Sequence, residues 1–488
     1  MDNNSTQNVA LPKTSVNTEP SKRFFVEMLT RDISLEDAIL DMLDNSVDGI
    51  LRVIEQQGFD SEDNSKPYFG YYAHINFNKD SFEVKDNCGG IPENLIERAL
   101  KLGRPYAQAT DQTDPKNSVG VYGIGMKRAL FKIGEESLIL TQNQHTRYQV
   151  LISADWLKSN DWNLALDQAP NPFPFDGTEI SIGMLHSDIS DILSAEYFQD
   201  KLLEMISSHY AIIISKGFEV RVNGISAEPR PVLFKFDEKA DGAIRPYIFR
   251  AQVEDVAVYL AVGLRLAIPT QDELDEEQEA VHMSSKDAGW TVICNDRVVV
   301  SNNKDELTGW GTANIPNYHN QFRSIIGVVE FTGNPAKLPT TTTKRGLDLQ
   351  SALYQQVLNR MREGLRLFID YTNRWKTRES EAKAQVSFVP NVGFPVLKAE
   401  SQNITFKVVE KTGLKGERYK PELPVPPSSN SLVRITYSKD RDDVKEVASE
   451  IIPDYDSLKE SEVRKLVGEK TFDVSLQNII QKREDNNS

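Results

Sequence analysis

Cysteine is almost absent from this chain of 488 residues. Cys88 and Cys294 stand alone and six scattered histidines add no ligand spacing, so neither a disulfide framework nor a zinc site organises the fold. A reducing, cytoplasmic setting is the expectation. Long apolar runs are missing as well. The longest, around Val256 to Ile268, is too short to span a bilayer and contains Arg265, while the first twenty residues are polar and carry no apolar core of an export signal. No membrane partner is expected. Two common phosphate-binding signatures are also lacking: no Gly-Lys-Ser/Thr closes a P-loop, and no βαβ unit with a later acidic residue surrounds a glycine triplet. No internal repeat is found. Positive charge is in deficit, with 56 Lys and Arg against 72 Asp and Glu, and the net charge of −16 opposes indiscriminate binding to nucleic acid.

The length calls for two to four domains, and a hydrophobic fraction of 39% is enough for sizeable cores. Three segments near the N-terminus carry the chemistry. In the first, Ser34 followed by Asp37 reads as a capping box, and Leu35, Ile39, Leu43, Val47, Ile50, Leu51 and Ile54 recur at helical spacing. An amphipathic helix is expected from about Ser34 to Glu55. On it Asp41, Asn45 and Asp48 share one stripe. An amide carbonyl such as that of Asn45 suits a hard cation, and a carboxylate that does not bind the metal can take a proton from an attacking water. Alone, the same stripe also reads as an ordinary solvated face.

The second segment, Asp86-Asn87-Cys88-Gly89-Gly90-Ile91-Pro92, follows an alternating strand through Phe82 and Val84. Its glycines let backbone approach a flat ring, and Asp86 supplies an acceptor for an exocyclic amine. Cys88 is expected to avoid the left-handed region. The third contains Gly120, Gly123 and Gly125, then Met126, Lys127 and a helix-like run through Ile133. Glycines that open a helix present N–H groups at its positive end, which suits a triphosphate.

In this order the segments resemble the GHKL superfamily, named for gyrase, the heat-shock chaperones, histidine kinases and mismatch-repair ATPases. Asp41 to Asn45 is similar to its N box, Asp86 to Gly90 to its adenine box, and Gly120 to Gly125 to its lid-closing glycine box. Gly177-Thr178-Glu179-Ile180 resembles the strand whose threonine supports the adenine-binding Asp. The resemblance implies ATP and Mg2+ as cofactors, with Asn45 as magnesium ligand, Asp41 as the base, and Asp48, Asp86, Gly90, Ile91, Gly120, Gly123, Gly125, Met126, Lys127 and Thr178 around the nucleotide. Two departures stand out. Hydrolytic members carry Glu where this chain has Asp41, and Cys88 replaces the first glycine of the adenine box. Asp is one methylene shorter but similarly acidic, so slow turnover and nucleotide binding without turnover both stay open.

The likeness continues beyond the nucleotide domain. Phe218 to Gly224 is an alternating strand with an Asn-Gly turn, closing a first domain of residues 21–230. Strand-like runs follow, and Gly289 to Arg297 is similar to a strand and turn in the second domain of prokaryotic Microrchidia-like or chaperone-like two-domain ATPases. Leu338 to Gly346 leads into a helix read from Ser351 to about Trp375. In such a transducer-type domain, expected over 231–380, a lysine reaches the γ-phosphate; Lys344 is the candidate and Arg345 the alternative. A basic turn on a solvated surface is the bland reading of the same loop. Arg360, Arg362, Arg366, Arg374, Lys376 and Arg378 cluster along or after the helix, whereas residues 272–279 are acidic. DNA contact along that helix is one reading and a solvated face is the other.

The expected fold class is therefore α+β: a GHKL (Bergerat) α/β sandwich, a transducer-like α/β domain and a small C-terminal β-rich interaction region over 381–488, with a strand near Leu432 to Tyr437. Residues 1–20 are read as a disordered or partner-crossing arm, and the lid is placed at about 101–119. The resemblance implies an ATP-driven homodimeric clamp acting on DNA, a client protein or a partner effector, by analogy in genome or antiviral defence. A histidine kinase acting in trans is the alternative, disfavoured because only about twenty residues precede the first helix. A non-hydrolysing nucleotide-gated scaffold is the third.

Overall fold

The computed structural model describes residues 21–58, 65–101, 117–120, 123–144, 146–170, 172–238, 244–270, 273, 285–341, 344, 346–376, 378–410, 414–426 and 438–485. The expected arm over 1–20, most of the expected lid, the acidic loop other than Glu273, Arg345 and the strand expected near 432–437 lie outside them.

The first half is built on an eight-stranded sheet. Its strands are β1 (Tyr72–Phe77), β2 (Phe82–Asp86), β3 (Gly134–Asn143), β4 (Thr146–Ile152), β5 (Asp167–Gln168), β6 (Gly177–Leu185), β7 (Glu219–Val222) and β8 (Ile225–Ser226), in spatial order β5-β4-β3-β6-β2-β1-β7-β8. Every neighbouring pair is antiparallel except β1 with β7. Asn223 (φ 47°) and Gly224 (φ 82°) turn β7 into β8 with both central residues left-handed, the geometry that an Asn-Gly hairpin turn favours. Eight helices accompany the sheet among the described residues: α1 (Lys22–Arg31), α2 (Leu35–Gln57), α3 (Glu93–Leu100), α4 (Gly125–Ile133), α5 (Ala154–Lys158), α6 (Ser187–Ser194), α7 (Glu196–His209) and α8 (Ala211–Ser215).

Helix α2 starts where its sequence demands. Ser34 accepts from the Asp37 N–H at 3.2 Å and donates to the Asp37 carboxylate at 2.7 Å, and Gly58 ends the helix in the left-handed region. Its apolar residues, Ile39, Leu43, Val47 and Ile50, enter the same core as Ile75, Val84 and Ile182 of the sheet. The polar stripe does not face solvent throughout: Asp41, Asp44 and Asp48 are buried and only Asn45 is exposed. Carboxylates at such depth require partners. Those partners define the site below.

The second half carries a seven-stranded sheet in the order β13-β12-β14-β11-β10-β17-β16. These strands are β10 (Tyr247–Val253), β11 (Val256–Leu264), β12 (Gly289–Cys294), β13 (Arg297–Asn303), β14 (Ile325–Thr332), β16 (Lys407–Val409) and β17 (Gly416–Tyr419), and a separate pair joins β9 (Leu233–Lys235) to β15 (Asn391–Gly393). All six residues of β12 are buried, because α9 (Ala352–Trp375) covers one face through Val357, Met361, Leu365 and Phe368. Phe234, Phe394 and Leu397 cover the other. A strand packed on both faces reads as a near-continuous apolar run, as Trp290 to Cys294 does apart from Thr291.

Two expectations need correction. The described residues of 381–488 do not make a separate β-rich unit. β16 and β17 are three and four residues long, too short for an independent sheet, and they extend the second sheet beside β10. The other described elements there are mainly helical: α10 (Glu379–Ser387), α11 (Phe394–Glu400), and the pair α12 (Arg441–Ile451) and α13 (Glu460–Asp485), which share a small core of Ala448, Ile452, Val463 and Val467. Nor do the arginines of α9 form one basic face. Arg360 is buried, donating to the Leu414 carbonyl at 2.8 Å and to Glu363 at 2.9 Å, while Arg362 holds Thr312 and Arg366 the Ala313 carbonyl. Arg378 pairs with Glu381. Arg374 and Lys376 remain exposed.

Candidate nucleotide site

Asp86 ends β2 and is held from three sides. Its Oδ1 accepts from the backbone N–H of Cys88 at 2.9 Å and of Thr178 at 3.2 Å, and its Oδ2 accepts from the Ser46 hydroxyl at 2.8 Å. Burial pushes the carboxyl up, against the pull of these donors. Such a group is fixed in place and still has lone-pair capacity for an amine. Gly89 (φ 86°) and Gly90 (φ 63°) take the left-handed conformations of the turn, whereas Cys88, as expected, does not. The Ile91 N–H donates to Thr141 Oγ1 at 2.8 Å, and that hydroxyl lies 3.3 Å from Thr178 Oγ1, so the turn is pinned across β3 and β6.

Asp48 has a different task from the one the stripe implied. Its two oxygens accept from the Val119 N–H at 2.6 Å and the Gly120 N–H at 2.8 Å, tying the glycine segment to α2. A Cβ built on Gly120 would lie 2.5 Å from Asp48 Oδ2, which explains glycine there. Gly123 sits at φ 65°. Helix α4 then begins, and its first backbone bond runs from Arg128 N–H to the Ile124 carbonyl at 2.9 Å. The N–H groups of Gly125 and Met126 precede that bond, at the positive end of the helix. Lys127 points elsewhere. Its ammonium donates to the carbonyls of Ala99 (2.7 Å) and Lys101 (2.8 Å) and closes the C-terminal end of α3.

Asn45 donates its amide N–H to the Asp41 carbonyl one turn back at 2.9 Å, which leaves its side-chain oxygen as the coordinating atom. No cluster of three or more His, Cys, Asp or Glu among the described residues could cage a metal. One amide oxygen fits magnesium, which keeps several waters and is carried on phosphates, better than a metal held by protein alone. Asp41 is engaged by Arg128, whose Nη2 lies 2.6 Å from Oδ2. Burial pushes the Asp41 carboxyl up, Lys344 and Arg128 pull it down, and the net direction is upward.

The second half reaches into this region. Asp44, on the same helix, accepts from Lys344 Nζ at 2.8 Å, from Arg297 Nε at 3.0 Å and from the Tyr210 hydroxyl at 2.6 Å. Burial alone would raise its pKa, but Lys344 and Arg297 dominate and bring it down to about 2. Arg297 is presented by a tight turn between β12 and β13, where Asn295 (φ 49°) and Asp296 (φ 64°) are both left-handed. Asn295 also donates to the Ser118 carbonyl at 2.9 Å, beside the glycine segment. Lys344 itself stands at φ 54°. Asp44 and Arg297 lie within segments singled out from the sequence but carried no assigned role there, and Ser46, Arg128 and Thr141 were not singled out. The signal for Asp44 was a carboxylate set among Leu40, Leu43 and Val47.

Every residue assigned to the nucleotide from the sequence, from Asp41 to Lys344, lines one cavity together with Ser46, Arg52, Arg98 and Arg128. Residues 33–175 match the family model described as histidine kinase-, DNA gyrase B-, and HSP90-like ATPase. This span is similar to a GHKL-type ATPase domain. The match covers α2, the adenine turn and the glycine segment, so the GHKL character rests on the elements that form most of the cavity. Thr178, Asp44's partner Arg297 and Lys344 lie beyond it. No curated protein matches the chain. No helix among the described residues is long and apolar enough to cross a membrane.

Proposed function

We propose that the chain is an ATP-gated dimeric clamp. Asp86 receives the adenine amine, the first turn of α4 and the glycine segment receive the phosphates, and Lys344 neutralises the γ-phosphate. Asn45 would hold magnesium, which when bound would supply charge neutralisation at the phosphates. Asp41 takes the proton of the attacking water. One observation carries the reading: a lysine from the second half, its side chain only 12% exposed, enters the cavity lined by the glycine segment and is held there by Asp44. A cation whose best partner depends on the third phosphate makes the fit of the two halves differ between ATP and ADP. DNA, a client protein or a partner effector is the target of closure.

Light scattering with a non-hydrolysable ATP analogue against ADP tests this. Doubling of mass with the analogue alone is the expected outcome, and an unchanged monomer in both sinks the clamp. A nucleotide-gated scaffold is favoured by one observation, that Asp41 is both the shorter acid and already engaged by Arg128. Phosphate release from ATP separates the two, since the scaffold releases none.

A further inference from the structure

The guanidinium of Arg128 is only partly used. Its Nη2 holds Asp41, but its Nε–H is buried and has no hydrogen-bond partner among the described residues. An unpaired buried donor costs about 1–3 kcal/mol, more when it belongs to a charged group, so a position like this calls for an acceptor. The surroundings narrow the choice. Arg128 lies in the first turn of α4, where long side chains lean back towards the helix N-terminus, and it lines the nucleotide cavity with Gly125, Asn45 and Lys344. Gly125 lets that turn sit directly on Asp41: a Cβ there would stand 3.1 Å from the Asp41 carboxyl carbon.

We infer that Arg128 is a catalytic residue whose Nε–H takes an oxygen of the γ-phosphate while its Nη2 keeps hold of Asp41. The inference rests on the ATPase reading above and adds a second γ-phosphate cation, supplied by the nucleotide domain itself rather than by the second half. A planar fork suits this double duty, because two of its donors diverge towards different oxygens at fixed spacing. It also answers the short acid. Asp41 is one methylene shorter than the glutamate of hydrolytic relatives, and a guanidinium that grips both the carboxylate and the phosphate fixes their separation without the longer side chain. A purely structural Arg128 would neutralise Asp41 and be indifferent to the number of phosphates.

The test compares ATP and ADP affinity in an Asp41→Asn background, where ATP stays intact and removal of Arg128 leaves no bare carboxylate. Equilibrium binding is read by competition with a fluorescent nucleotide, for Asp41→Asn alone and for Asp41→Asn with Arg128→Gln. The expected result is a tenfold or greater loss of the preference for ATP over ADP in the double variant, with ADP affinity within twofold. An unchanged preference overturns the inference. If the double variant fails to fold, Arg128→Lys in the same background keeps the charge without the fork; it should lose part of the preference, and full retention overturns the proposal equally. Binding of neither nucleotide by the unaltered chain would overturn the ATPase reading instead.

Discussion

Lys344 Nζ lies 2.8 Å from Asp44 Oδ2, across 300 positions of sequence. Both side chains are nearly excluded from solvent, and Arg297 and Tyr210 complete the shell of the carboxylate. A buried pair of this kind costs desolvation at both ends, and its loss is felt most when one partner is left behind. The two halves are therefore joined at the nucleotide cavity by charge, and away from it by Ile212, which packs into a core of the second half.

Lys344→Ala should lower stability by about 1–3 kcal/mol, below the usual 3–5 for breaking a buried pair because Arg297 still faces Asp44. Urea denaturation measures this. The same variant should keep ADP affinity and lose any mass increase in the ATP analogue. A variant that still doubles in mass removes Lys344 from closure.

Asp44 gives a pH dependence with a definite sign. Its folded pKa, about 2, lies below the unfolded 3.8, so its contribution is present in full above the unfolded value and is lost as pH falls towards 2. A shift of that size corresponds to roughly 2 kcal/mol at neutral pH, of which about 1 is gone by pH 3. Asp41, Asp48 and Asp86 are shifted upward and act in the opposite direction, so total stability hides the effect. The difference between the parent chain and Asp44→Asn isolates it. That difference should shrink between pH 5 and pH 3, and a constant difference contradicts the assignment.

Asp86→Ala should remove measurable nucleotide binding while the fold persists. The carboxylate is satisfied by Cys88, Thr178 and Ser46, all of which line or border the cavity where water can replace it. Ser46→Ala is the milder change and should weaken binding about tenfold, since one charge-assisted hydrogen bond is worth about 1.5–3 kcal/mol. Fluorescent nucleotide titration with far-UV dichroism as the folding control decides both.

The legible part of this architecture is local. Helix α2 could be read because Ser34, Asp37 and the apolar spacing act within a few residues, and the Asn223-Gly224 hairpin because its turn chemistry is self-contained. The cavity could be read in outline because its boxes come in a fixed order. What could not be read is set by pairing over distance. The spacing put Asp48 and Lys127 near the nucleotide but did not show that Asp48 also ties down Val119 and Gly120, or that Lys127 also closes the end of α3. The C-terminal strands looked independent because nothing in Lys407 to Val409 or Gly416 to Tyr419 names β10 as their edge. Arg360 looked like surface charge because burial against Leu414 is a property of the packed chain alone.

Gly120 allows the glycine segment to be tested without touching a charged residue. Its Cβ position is 2.5 Å from Asp48 Oδ2, too close for any real contact, and the obstacle is a carboxylate already bound to two N–H groups. Gly120→Ala must therefore displace Asp48 from Val119 and Gly120, freeing the segment that precedes α4. The expected outcome is loss of ATP affinity by tenfold or more with a stability loss of about 1–2 kcal/mol, because two hydrogen bonds to a buried carboxylate are weakened together. Asp48→Asn should reproduce the affinity loss, since an amide oxygen can accept from only part of that pair. If Gly120→Ala binds ATP like the parent chain, the tie between α2 and the glycine segment is not what shapes the phosphate end of the cavity.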